Sequence, residues 1–143
     1  MKSSTLFAAL SVAALGMGSA QAATLTFTVQ NKITTGAITN TYQNTCGAII
    51  PSLGPVAANS LSVVHQTDCG TTTALVFDYT NGSKVCRFNL STIYTPPNPL
   101  LGTSAYWTPK GSGTSRGGTS ATCTATLTSL GSNGNYTWAL SMQ

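Results

Sequence analysis

The side chains able to do acid–base, nucleophilic or metal chemistry in this chain are few enough to name. There is one histidine, His65, two aspartates, Asp68 and Asp78, no glutamate, and four cysteines, Cys46, Cys69, Cys86 and Cys123. Hydrolysis, phosphoryl transfer and metal-assisted reactions need acids, bases or ligands converging on one point. His65, Asp68 and one of the many serines are the material of a hydrolase triad, but no G-x-S-x-G elbow or comparable nucleophile setting occurs. A paired-carboxylate glycosidase would require Asp68 and Asp78 to meet, since no other acid exists. His65 with Asp68 is a thin basis for a metal site. A zinc site wants cysteine pairs spaced by roughly two to four residues, whereas the intervals here are 23, 17 and 37. The inventory predicts a protein that binds rather than catalyses, with no metal and no cofactor.

The cysteines are better explained as bridges. The chain opens with Lys2, an apolar run from Leu6 to Leu15 and the small-residue sequence Ala20-Gln21-Ala22. That order is a bacterial-type signal peptide over residues 1–22 with an A-x-A cleavage site. The apolar run is too short to span a bilayer, which takes about 20 residues. No second long apolar run follows, so no membrane span is expected. Residues 23–143 then form a single secreted domain, extracellular, periplasmic or at the cell surface. An even cysteine count in a small secreted domain reads as disulfides. Cys46–Cys69 and Cys86–Cys123 are the favoured pairs.

Charge excludes one class of partner. The formal net charge is +4. Without Lys2, five scattered cations (Lys32, Lys84, Arg87, Lys110 and Arg116) face two aspartates. A nucleic-acid binder clusters its basic residues on one face or helix, so no nucleic acid is expected. With charged residues at 6 %, solubility falls to hydroxyls and amides.

Period-two alternation carries the fold. In 24–30, Leu25, Phe27 and Val29 alternate with Thr24, Thr26 and Thr28. Segments 61–67, 73–80, 84–93, 121–130 and 136–142 read the same way, with a further short strand at 37–42. Asn81-Gly82-Ser83 is a hairpin turn, because Asn and Gly tolerate positive φ. Cys86 and Cys123 both fall in inward, apolar sets, which is why their bridge is expected to pin two core strands. Trp138 is read as core, His65 as a hydrogen-bonded residue of an inner face, and Asp78 as a solvated strand residue. The pattern predicts an all-β, antiparallel β-sandwich, immunoglobulin-like or similar, with two disulfides.

The stretch 95–120 resists a strand reading. It holds Pro96, Pro97, Pro99 and Pro109, then Gly111, Gly113, Gly117 and Gly118. A loop this long in a compact domain is usually functional or disordered. It is the candidate contact surface, with Tyr106 and Trp107 as aromatic anchors and Lys110 and Arg116 steering an anionic partner. The partner would be an extracellular protein, a glycan or a membrane surface.

Both ends of the chain resemble the β-sandwich subunits assembled by chaperone–usher pathways. Those have a signal peptide, an N-terminal alternating strand that is donated to a neighbour and a C-terminal alternating strand after a glycine. Here residues 24–30 and 134–143 would play those parts, although Met142 stands where such subunits usually have a tyrosine. The resemblance implies polymerisation by β-strand addition. Small secreted β-sandwich toxins that touch membranes through exposed aromatic residues are a second likeness, carried by Tyr106 and Trp107 with Lys110 and Arg116.

Overall fold

The computed structural model describes residues 23–143. The segment 1–22, where the sequence predicts a signal peptide, lies outside the described residues. Eight strands follow in order: β1 (Thr24–Asn31), β2 (Thr39–Thr45), β3 (His65–Asp68), β4 (Thr72–Asn81), β5 (Lys84–Thr95), β6 (Tyr106–Ser115), β7 (Cys123–Leu130) and β8 (Tyr136–Met142). They make two four-stranded sheets, β3-β1-β8-β7 and β2-β4-β5-β6, packed face to face as a sandwich. Among the described residues no helix is long and apolar enough to cross a membrane.

The alternation that predicts the strands also builds the core. Leu25, Phe27 and Val29 of β1 and Trp138, Leu140 and Met142 of β8 face Leu75, Phe77 and Tyr79 of β4 and Phe88 and Leu90 of β5. Phe77 is the hub of the aromatic cluster, with ring centroids 5.2 Å from Phe27, 5.5 Å from Phe88 and 6.0 Å from Tyr79. Tyr79 donates to the Gly54 carbonyl at 2.9 Å. Burial pushes its hydroxyl up to about 12. Trp138 lies in the core, as its strand pattern predicts.

Three strand readings change. The second alternating segment forms regular strand only from His65 to Asp68. From Leu61 to Val64 the chain runs along β1 as an irregular extension. There Ser62 N–H donates to the Val29 carbonyl at 2.8 Å and the Ser62 hydroxyl accepts the Val29 N–H at 2.9 Å. A side-chain oxygen thus replaces a ladder carbonyl, and Leu61, Val63 and Val64 are all exposed instead of alternating. The short strand near 37–42 is β2, shifted to Thr39–Thr45. The stretch 95–120 is not one long loop, because β6 occupies its middle and pairs with β5 over its whole length.

β6 escapes a hydrophobic reading because, after Trp107, its inward positions are Pro109, Gly111 and Gly113. A Cβ on Gly111 would collide with the Trp138 ring, and one on Gly113 with the Cys123 backbone. The glycines are there for close approach between sheets. Pro109 is tolerated because β6 is an edge strand, where a missing N–H need not break a ladder.

Strand pairs are antiparallel except one. β1 lies between β3 and β8 and runs parallel to β8, from Leu25 opposite Tyr136 to Asn31 opposite Met142. Both disulfides are as predicted, Cys46–Cys69 and Cys86–Cys123. Each ties one sheet to the other. Cys46–Cys69 sits on the β2/β3 flank near the Asp68 end, and Cys86–Cys123 on the opposite flank near the Met142 end. Bridges of this kind belong to an oxidising, extracellular-type environment. Replacing Cys86 and Cys123 together by alanine is expected to lower unfolding free energy by about 2–4 kcal/mol, read as a fall in the urea midpoint with a steeper slope, because the unbridged unfolded chain exposes more surface.

Candidate functional site

The outer face of β2-β4-β5-β6 is built from the polar half of each alternating pair. Pairing places Asp78 of β4 opposite Arg87 of β5. Their side chains form a two-pronged ion pair, Arg87 Nε to Asp78 Oδ1 and Nη2 to Oδ2, both 2.7 Å. Arg87 also stacks over Tyr42 of β2, with its guanidinium carbon 4.8 Å from the ring centroid. Hydrogen bonding to Asp78 raises the Arg87 guanidinium above its already high value. Asp78 is therefore not the solvated residue the sequence suggests. It is only 7 % exposed, covered by its neighbours and neutralised by Arg87.

The remaining chemical groups are kept apart. His65 and Asp68 point to opposite faces of β3, one buried and one exposed. His65 is 1 % exposed, stacks on Phe27 at 5.3 Å and meets the Pro51 carbonyl through Nδ1 at 2.8 Å. A carbonyl only accepts, so Nδ1 carries the proton. Nε2, the atom that would take a proton from a serine, has no hydrogen-bond partner among the described residues. Asp68 and Asp78 lie in different sheets. Among the described residues no three His, Cys, Asp or Glu side chains are grouped to hold a metal ion.

The four residues expected to bind do not form one site. Along β6, Tyr106 and Lys110 share the outer face, about 13 Å apart at roughly 3.3 Å per residue. Trp107 takes the other side. Its ring packs at 4.8 Å from Tyr94 of β5 and over the backbone of Gly134, where a Cβ would overlap the ring and where a φ of 79° favours glycine. Its carbonyl accepts the Tyr136 hydroxyl at 3.0 Å. Trp107 thus closes the end of the sandwich. Arg116 lies beyond the other end of β6, about 33 Å from Tyr106 by strand rise, and its N–H is held by the Val85 carbonyl.

What the structure adds is the tip that joins β5 to β6. Leu100 is 94 % exposed and Leu101 75 %, with Tyr106 at the hairpin base 55 % exposed. Leu130, also exposed, closes β7 at this same end, opposite Tyr136. Sequence reasoning favoured the aromatics and passed over this pair. The turn signal was present in Pro-Asn-Pro-Leu-Leu-Gly, which sets two apolar residues where the chain must reverse. No family model, curated protein or solved structure matches the chain. Function is therefore read from this surface alone.

Arg87→Met should destabilise the fold well beyond the roughly 0.5 kcal/mol typical of surface substitutions, because it strands a covered carboxylate. Adding Asp78→Asn should restore most of the loss. Urea midpoints of the two single variants and the double variant would measure that coupling.

Proposed function

We propose that this protein is a secreted, non-catalytic β-sandwich that binds an extracellular surface through the end carrying the β5–β6 hairpin. The observation that carries the reading is the exposed apolar group Leu100, Leu101 and Tyr106, held on a tip between two paired strands. Contiguous exposed apolar surface on a small secreted domain marks an interaction site more often than chance packing. The dispersed titratable groups support a role without catalysis. Asp78 is tied to Arg87, His65 is buried, and the four cysteines are bridged. Lys110, on the same outer face as Tyr106, belongs to this surface. Trp107 supports it from behind.

The triple variant Leu100→Ser/Leu101→Ser/Tyr106→Ser should fold with an unchanged melting temperature, since none of the three side chains is buried. It should lose about tenfold or more of the retention that residues 23–143 show on washed bacterial cells and erythrocytes. Arg116→Gln, at the far end of β6, should leave retention intact. Equal retention of the triple variant would remove the hairpin end as the contact surface.

A second reading has its own observation. β1 is the first strand, yet it occupies the middle of a sheet between β3 and β8. Taking it away would open a groove between two strands, and the same strand from another copy would fill that groove by β-strand addition. Because β1 completes its own sheet, with Leu25, Phe27 and Val29 buried, light scattering should find a monomer. Deleting 23–30 should then give unfolded or aggregated protein. Polymers that dissolve on that deletion would favour strand donation.

A further inference from the structure

The tip between β5 and β6 is unusual in what it does with its backbone. A surface turn ordinarily leaves some N–H groups to water. Residues 96–103 leave none. Pro96, Pro97 and Pro99 have no N–H. Asn98 N–H donates to the Thr103 carbonyl at 3.0 Å, and Thr103 N–H returns to the Asn98 carbonyl at 3.1 Å. Leu101 N–H reaches that Asn98 carbonyl at 3.2 Å, and Gly102 N–H the Pro99 carbonyl at 3.4 Å. The last donor, Leu100 N–H, is taken by the Asn98 side-chain oxygen at 3.0 Å. One asparagine therefore gathers most of the turn. Outside this braced frame stand Leu100 and Leu101, and no charged residue occurs from Thr95 to Pro109.

We propose that this tip inserts into the interfacial region of a lipid bilayer, with an anionic membrane surface as the partner. The inference rests on the hairpin-end reading above and names its partner. Unsatisfied backbone N–H and C=O groups are what ordinarily keep a turn out of an apolar medium. Here the N–H part of that cost is met within the turn, the carbonyls of Leu100, Leu101 and Gly102 are left to water at headgroup depth, and the side chains presented are those that gain from leaving water. A glycan or an extended peptide would instead be recognised through free donors paired with free acceptors, and residues 96–103 offer backbone acceptors only.

The flanking groups suit the same orientation. Tyr106 stands at the base of the hairpin, where a ring with an apolar body and a polar end matches the headgroup level. Lys110 follows on the same face, about 13 Å farther from the tip, on the aqueous side. Among the described residues Lys110 is the cation nearest the tip, since Lys32, Lys84 and Arg116 lie toward the opposite end of the sandwich, and it is the charge that an anionic surface would feel. Two leucines and a tyrosine give reversible, peripheral attachment, not a span.

The test is co-sedimentation of residues 23–143 with extruded vesicles of phosphatidylcholine, alone or mixed with phosphatidylglycerol. Binding is expected to the anionic vesicles and to weaken as salt is raised. Leu100→Ser/Leu101→Ser should lower partitioning by about tenfold or more at unchanged melting temperature. Asn98→Ala keeps both leucines but frees the Leu100 N–H, and should lower it too. Leu61→Ser/Val63→Ser alters another exposed apolar stretch and should leave it alone.

Absence of binding to either vesicle would overturn the proposal. So would an equal loss in the Leu61/Val63 pair, or wild-type partitioning by Asn98→Ala. Retention on cells that is lost in the triple variant, with no binding to protein-free vesicles, would overturn the membrane and keep the hairpin end. Retention on cells indifferent to the triple variant would overturn both.

Discussion

The indole of Trp138 occupies the space where a side chain on Gly111 would stand. That contact decides how the molecule closes. It lets the edge strand β6 settle against β7 and β8, and Gly113 repeats the arrangement against the backbone of Cys123. With β6 seated, Trp107 reaches Gly134 and seals the end of the sandwich, and Tyr106 is turned outward. The hairpin beyond it is then carried on two strands paired over ten positions. Any larger residue at Gly111 would lift β6 from the core and loosen the base on which the tip stands. Cys86–Cys123 reinforces the same flank covalently, farther along.

Polar groups inside this fold are organised by local capture. Asn31 is fully buried, and its amide nitrogen reaches the carbonyls of Gly36, Val56 and Ala57 at 3.1, 3.0 and 3.0 Å, while its oxygen accepts the Ile33 N–H at 3.0 Å. One side chain thereby fixes two loops that carry little regular structure of their own. Ser62 does the same for the irregular extension of β3, and Asn98 for the hairpin tip. In a chain with 6 % charged residues, amides and hydroxyls take the structural work that ion pairs do elsewhere, and Asp78–Arg87 stands as a covered pair in a mostly uncharged sheet.

Most of the architecture was legible because it is written in period two. β1, β4, β5, β7 and β8 each alternate apolar with polar residues, and the inward placing of Cys86 and Cys123 was enough to favour their pairing. β6 was hidden because Pro109, Gly111 and Gly113 follow Trp107 on its inward side, and these carry little hydrophobic signal even when the backbone is packed against a core. The ion pair was within reach of the sequence. Once the chain turns at Gly82 and Ser83, Asn81 faces Lys84, and counting back along both strands brings Asp78 opposite Arg87. The candidate surface was half legible. Tyr106 and Lys110 do share a face, but strand alternation sends Trp107 the other way and strand length carries Arg116 to the far end. Solvent exposure of Leu100 and Leu101 depends on where the two strands stop, which no residue pattern declares in advance.

The parallel ladder between β1 and β8 ties the opening of the described chain to its last strand, across more than a hundred intervening residues. Such long-range pairing forms late and slowly. Until residues 136–142 are present, β1 lacks one of its two neighbours and Leu25, Phe27 and Val29 lack part of their packing. A chain lacking residues 136–142 is therefore held short of its native sheet. Any event that removes the final strand, such as clipping near the C-terminal side of β7, would therefore unseat the first strand as well.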